Sequence, residues 1–296
     1  MLDGLFGLAL TLLIGSCGLL GGSEGAGTSA DLNAVAFGRE TFVAVGEGGT
    51  VLTSSDGASW SSASSNVDAE LLDVTWGGDR FLGVGADGTL LSSGDGTTWS
   101  AIDLSTTSDL RGVTYGNGLY VVVGDGGTIV TSVDGRSWAE QDGGTSATLR
   151  AVGFGVGTFI AVGDDGLVLV STDGASWSAI DSGTAETLAG VRYGAGTFVA
   201  VGANGTILTS SDGASWSVVQ RAGADLTDVF YAQATFVVVG AAGTIATSSD
   251  GSEFAAQSSQ TARDLRGVAY GSNVFVAVGA TGTVLSSLDG ESWSAI

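Results

Sequence analysis

The sequence predicts an all-β fold, a seven-bladed β-propeller with four antiparallel strands per blade, on three observations. One phrase, clearest over residues 110–138 (LRGVTYGNGLYVVVGDGGTIVTSVDGRSW), returns seven times. Its Asp-Gly pair falls at Asp56, Asp95, Asp134, Asp173, Asp212, Asp250 and Asp289, at spacings of 39, 39, 39, 39, 38 and 39 residues, and so regular a beat belongs to copies in equivalent places of a repeating architecture. Each copy holds three tight Gly-rich turns and one looser link of nine or ten residues, so each sheet is complete within its copy and the link crosses to the next. Seven twisted four-stranded sheets of this size stack radially. A parallel β-helix, the main rival, would need its turns to join different sheets.

The chain opens with a short apolar run over residues 5–14 (LFGLALTLLI), followed by Gly15, Ser16 and Cys17. Ile14-Gly15-Ser16-Cys17 resembles the signal peptide and lipobox of bacterial lipoproteins, although Asp3 stands where a basic residue is expected. The run is short for a membrane span. The resemblance implies a signal peptide over 1–16 and a lipidated Cys17, with a plain secretory signal or an uncleaved anchor as alternatives. Cys17 is the sole cysteine, so no disulfide is available and an exported domain must hold by packing. Residues 17–30 carry GGSEGAGTSA and are expected as a flexible tether from a bacterial envelope membrane, or in the alternative a secreted product.

Residues 31–296 form the expected propeller, with blades of about 31–68, 69–107, 108–146, 147–185, 186–223, 224–262 and 263–296. In the third copy the first strand is L-x-x-V-x-aromatic (Leu110, Val113, Tyr115). Gly116-Asn117-Gly118 turns into a second strand at 119–123, and the turn at 124–127 opens a third at 128–132. Asp134-Gly135 leads to a fourth strand expected to carry Trp138. Gly, Asn and Asp mark these turns because they tolerate positive φ. Leu32 opens the first copy and Trp293 falls in the last strand, so closure is expected without strand exchange.

The repeated polar residues read as staples. The Asp carboxylate and its neighbouring Ser can accept hydrogen bonds from the turn's own N–H groups, with Gly relieving the bend. Trp60, Trp99, Trp138, Trp177, Trp216, Phe254 and Trp293 are expected to pack between sheets. No D-x-D-x-D-G loop accompanies the seven Asp, so neither a metal nor another cofactor is expected.

Composition removes most catalytic designs. Without His or Lys, and with one Cys, the chain cannot build a Ser-His-Asp triad, a Cys-His pair, a Schiff base, a P-loop lysine or a His/Cys zinc site. A formal charge of −22, from 31 acidic residues against 9 arginines, makes nucleic acid a poor partner. Membrane contact is expected only through the lipid, and the chain is expected to be a monomer.

The phrase Ser54-Ser55-Asp56-Gly57-Ala58-Ser59-Trp60 resembles the Asp-box of bacterial-neuraminidase-type repeats, shortened by one residue. The whole copy, VAYGSNVFVAVGATGTVLSSLDGESW from Val268, resembles the seven-bladed propellers related to photosystem II stability and assembly factors. The first likeness raises sialidase, which works with a Tyr nucleophile. Yet Tyr115, Tyr193, Tyr231 and Tyr270 fill the first-strand aromatic slot, and Tyr120 fills a slot that is Phe elsewhere, so packing accounts for each. A non-catalytic module that binds or scaffolds a protein or glycan partner is the leading expectation. A carbohydrate-active enzyme and a structural envelope component are the alternatives.

Function is sought where the copies differ. The links and second turns should share a face. Just after the opening Leu stand Asn33, Leu72, Arg111, Arg150, Ala189, Thr227 and Arg266, and the second turns carry Glu47, Asp87, Asp125, Asp164 and Asp165. Either Arg111, Arg150 and Arg266 hold an anionic group at the channel mouth while the acids steer a basic segment, or each Arg pairs with Asp73, Asp109, Asp228 or Asp264.

Overall fold

The computed structural model describes residues 27–220 and 223–296. They form seven four-stranded antiparallel sheets, each built from four consecutive strands, which is a seven-bladed β-propeller. The expected signal peptide and Cys17 lie outside the described residues, and among those described no helix is long and apolar enough to cross a membrane.

Blade one shows the pattern: an inner strand Leu32–Gly38, a second Thr41–Gly46, a third Thr50–Ser54 and an outer Ser61–Ser64. The second strands are almost wholly buried because both faces meet neighbouring blades, which explains their continuous TFVAVG-type apolar runs. Outer strands are short, two to four residues each, which limits the exposed sheet edge that could pair with other chains.

Each apolar cluster lies between two blades. The closing one joins Leu32, Val35 and Phe42 of blade one to Val274, Val276 and Val278 of blade seven, so the ring closes by face packing with no exchanged strand. Polar groups add to it. Asp31 Oδ1 accepts from Thr281 N at 2.8 Å and Asp31 Oδ2 from Arg266 at 2.7 Å. The carbonyl of Thr28 packs against Gly282 as that of Thr106 packs against Gly88, so the residues before blade one supply the strap that elsewhere comes from the inter-blade link.

The turns at the repeated Asp are stapled as their residues predict. Asp56 Oδ1 accepts from Ala58 N and Ser59 N, both at 2.8 Å, while Ser54 Oγ accepts from Gly57 N at 2.9 Å. The same bonds recur at Asp95, Asp134, Asp173, Asp212 and Asp289, and in reduced form at Asp250. The aromatic that follows sits differently from expectation. Trp138 precedes the outer strand Ala139–Gln141 rather than lying in it, because its indole folds back over the turn toward the sheet interface. Trp99 and Trp293 are buried; Trp60, Trp138, Trp177, Trp216 and Phe254 are half-buried.

Candidate binding site in the central channel

The seven inner strands line a central cavity of about 390 Å³. Each carries a β-bulge at its second residue, seen where Leu32 pairs with Gly46 but Ala34 with Val45. A bulge re-aims a side chain. Asn33, Leu72, Arg111, Arg150, Ala189, Thr227 and Arg266 all occupy it and all line the cavity. The second turns lie at this same end, since Gly49, Gly88, Gly127 and Gly166 abut carbonyls of the links that follow their blades.

The rim arginines are paired in the structure. Arg111 grips Asp125 through two nitrogens and reaches Asp109 Oδ2 at 3.3 Å. Arg150 donates to Asp164 at 2.5 Å, and Arg266 bonds Asp31 and, at 2.8 Å, Asn33 Oδ1. The hydrogen bond from Arg111 holds the Asp125 carboxyl below the usual carboxylate range. Half-exposed pairs of this kind contribute about 1 kcal/mol or less each. Glu47, Asp87 and Asp165 remain exposed at the turn tips.

Of the four acids expected to pair with these arginines, Asp109 alone does so. Asp264 Oδ1 instead accepts from Ala242 N at 2.8 Å, and Asp225 and Asp109 take the matching N–H groups of Asn204 and Asp87. Residues 87, 204, 242 and 281 have φ of 54°, 54°, 53° and 53°, so where an Asp precedes the opening Leu, at Asp31, Asp109, Asp225 and Asp264, it caps a left-handed residue of the preceding blade. The sequence shows that Asp, and its role went unread.

Asp73 and Asp228 enter the channel wall. Asp73 Oδ1 accepts from its own Val74 N at 2.7 Å and Oδ2 from Val113 N of the next blade at 2.8 Å. Asp228 does the same with Val229 N at 2.7 Å and Val268 N at 2.9 Å. Burial pushes Asp73 up to about 7 and Asp228 up to about 6.

Below them Arg192 lines the channel and is exposed to it, with its guanidinium carbon 4.1 Å from the centre of the Phe230 ring. Burial pulls its pKa down from the usual arginine value, and the two carboxyls oppose that shift. The sequence reading missed Asp73 and Asp228 as channel groups and did not single out Arg192.

These shifts set the pH response. The hydrogen bonds from the turn N–H groups hold Asp56, Asp95, Asp134 and Asp173 at about 2 and lower Asp212, Asp250 and Asp289. Their stabilisation is present above the ordinary carboxyl value of about 4 and is lost as pH falls through about 2. Asp73 and Asp228 act oppositely, stabilising the fold most when protonated and losing that as pH rises through about 6 to 7. The thermal midpoint should therefore peak near pH 5, measured by circular dichroism, and Asp73→Asn with Asp228→Asn should flatten the alkaline limb. An unchanged alkaline limb would refute the assignment.

The comparisons with known proteins agree with this architecture. A family model described as the DUF6242 beta propeller domain matches residues 23–154. A solved structure titled "YCF48 bound to D1 peptide" superposes with a TM-score of 0.73 at 19% identity, covering 89% of this chain and 93% of that one. This chain shares the fold of YCF48. YCF48 from Cyanidioschyzon merolae gives a TM-score of 0.69 at 19% identity, covering 88% and 96% of the two chains. The computationally designed Ika8 protein gives 0.66 at 16% identity, covering 90% and 87%. No curated protein matches the chain. Identities this low speak for fold alone, and function has to come from the site.

Proposed function

We propose that the protein is a non-catalytic binding or scaffolding module that takes a protein segment across the channel mouth, held at the cell envelope by lipid on Cys17. One observation carries this reading. The residues that differ between copies, the three arginines and the acidic turn tips, gather on one face around one opening. Because Arg111, Arg150 and Arg266 are already paired, a basic partner segment would bind to the exposed Glu47, Asp87 and Asp165, and an acidic one would have to exchange with Asp125 and Asp164. The YCF48 structure bound to D1 peptide supports a peptide partner for this fold. A glycan remains the second ligand class within the same reading.

The carbohydrate-active alternative draws on Asp73 and Asp228, a carboxyl pair facing one cavity. Both oxygens of each are bound by wall N–H groups, which suits a scaffold better than proton transfer to a substrate.

The test is capture from membranes of the native cell. Wild type should fractionate with membranes and retain a partner in low salt. The triple change Glu47→Lys, Asp87→Lys and Asp165→Lys should weaken retention about tenfold for a basic partner, and Arg111→Gln with Arg150→Gln and Arg266→Gln should do so for an acidic one. Unchanged retention in both variants would remove the rim from the reading.

A further inference from the structure

Arg192 stands apart from every other charged group in the channel. Each rim arginine donates to a carboxylate, and both oxygens of Asp73 and of Asp228 accept backbone N–H groups. Among the described residues no protein acceptor takes an Arg192 N–H, and its one close partner is the face of Phe230. A guanidinium stacked on a ring keeps its N–H edge free, and that edge matches a carboxylate in two-point contact.

The channel provides room for such a group. At the level of Arg192 the other inner strands present Ala36, Thr75, Thr114 and Gly153, so the wall is small or weakly polar opposite the guanidinium. The cavity volume of about 390 Å³ lies within the range of small-ligand sites, and Phe230 offers apolar contact to whatever carries the charge.

We propose that the channel is a carboxylate-binding site in which Arg192, stacked on Phe230, holds the group by two parallel hydrogen bonds. The carboxylate can belong to a small organic acid or to the free end of a peptide. This site lies deeper than the rim and does not need the rim's partner.

The charges facing Arg192 give the site a direction of pH dependence. Asp73 comes from blade two and Asp228 from blade six. Tyr115, Tyr193 and Tyr270 also line the channel, and Arg111, Arg150 and Arg266 close its top with their acids Asp125, Asp164 and Asp31. Between about pH 5 and 8 Asp73 and Asp228 change charge, since burial pushes them up to about 7 and about 6. Both repel an entering carboxylate when ionised and cease to do so when protonated, so affinity should rise as pH falls.

The experiment titrates the full chain with acetate and with acetamide, and with an alanine tripeptide as free acid and as C-terminal amide. Calorimetry and the fluorescence of Trp76, which lines the channel, report binding. Acetate, the free-acid tripeptide or both should bind at about pH 5.5 and about tenfold more weakly at pH 8, with neither amide binding. Acetate binding assigns the bare group; binding of the tripeptide acid alone assigns a peptide end. Arg192→Gln should abolish binding, and Arg192→Lys should weaken it about tenfold by losing the fork while keeping the charge. Arg192 makes no hydrogen bond to the protein, so both variants should still fold, which a wild-type circular dichroism spectrum and a cooperative thermal transition check. Equal affinity in Arg192→Gln, equal binding of the amides, or no binding of either acid at pH 5.5 would overturn the proposal, and none of these bears on partner capture at the rim.

Discussion

Trp293→Ala should cost about 3–5 kcal/mol and lower the thermal midpoint by about 10 °C. Its indole is 1% exposed and packs among Val237, Val239, Ile245 and Leu285 between blades six and seven. The ring meets Phe275 at 6.5 Å between centroids, and its Nε1 donates to Gly290 O at 2.8 Å. Truncation thus removes a large apolar surface, leaves a cavity and frees the turn from the sheet. Trp60→Ala should cost less, because Trp60 is half-buried and its bond to Gly57 O is longer, at 3.2 Å. Trp138→Phe serves as control. Its buried Nε1 has no hydrogen-bond partner, so the change should be near neutral, much as Phe254 already fills this place in blade six. Urea unfolding of the three variants checks the ranking; a Trp293→Ala cost below about 1 kcal/mol would show that the aromatics do not pin the blades.

The ring itself was legible because its determinants are local and repeated. Asp134, Gly135 and Trp138 state a turn and a packing anchor within five residues, and seven copies state the symmetry. The rim was legible for a related reason. Alignment of the copies puts Arg111, Arg150 and Arg266 at one level, and the bulge in every inner strand then turns that level toward the opening. The pairing of those arginines was only half legible, since Asp125 and Asp164 lie across a hairpin whose register depends on that bulge.

The channel interior was not read, although its signals were present. Asp73 and Asp228 replace the Ala or Gly found at this place in the other copies, and Arg192 replaces a small residue or Phe. Periodicity treats such departures as noise in a strand pattern. That Asp73 and Asp228 share one cavity with Arg192 follows from ring closure, which sets strands from blades two, five and six around one axis. No local rule carries that information.

Gly124→Ala should be the most damaging of the small changes, at about 3 kcal/mol or more. Gly124 has a φ of −168°, extended backbone open to any residue, so strain is not the reason for glycine. The reason is contact: a Cβ would lie 2.1 Å from the carbonyl oxygen of Asp109. That oxygen accepts from Asp125 N at 2.9 Å, so relief would break this bond and pull Asp125 from Arg111. The same approach recurs at Gly46, Gly85, Gly163, Gly202, Gly240 and Gly279, with Cβ-to-oxygen distances of 1.9 to 2.2 Å. Gly116→Ala makes the informative comparison, because there a Cβ would meet the Phe154 ring at 2.1 Å, a side chain rather than backbone. Blade six carries Ala232 at this place, so the fold can turn an aromatic aside to admit a methyl group. Gly116→Ala should therefore cost about 1 kcal/mol. Urea midpoints of the two variants decide it, and a smaller loss for Gly124→Ala than for Gly116→Ala would mean that the inner strand can shift, which the tight contact of its neighbours across the ring argues against.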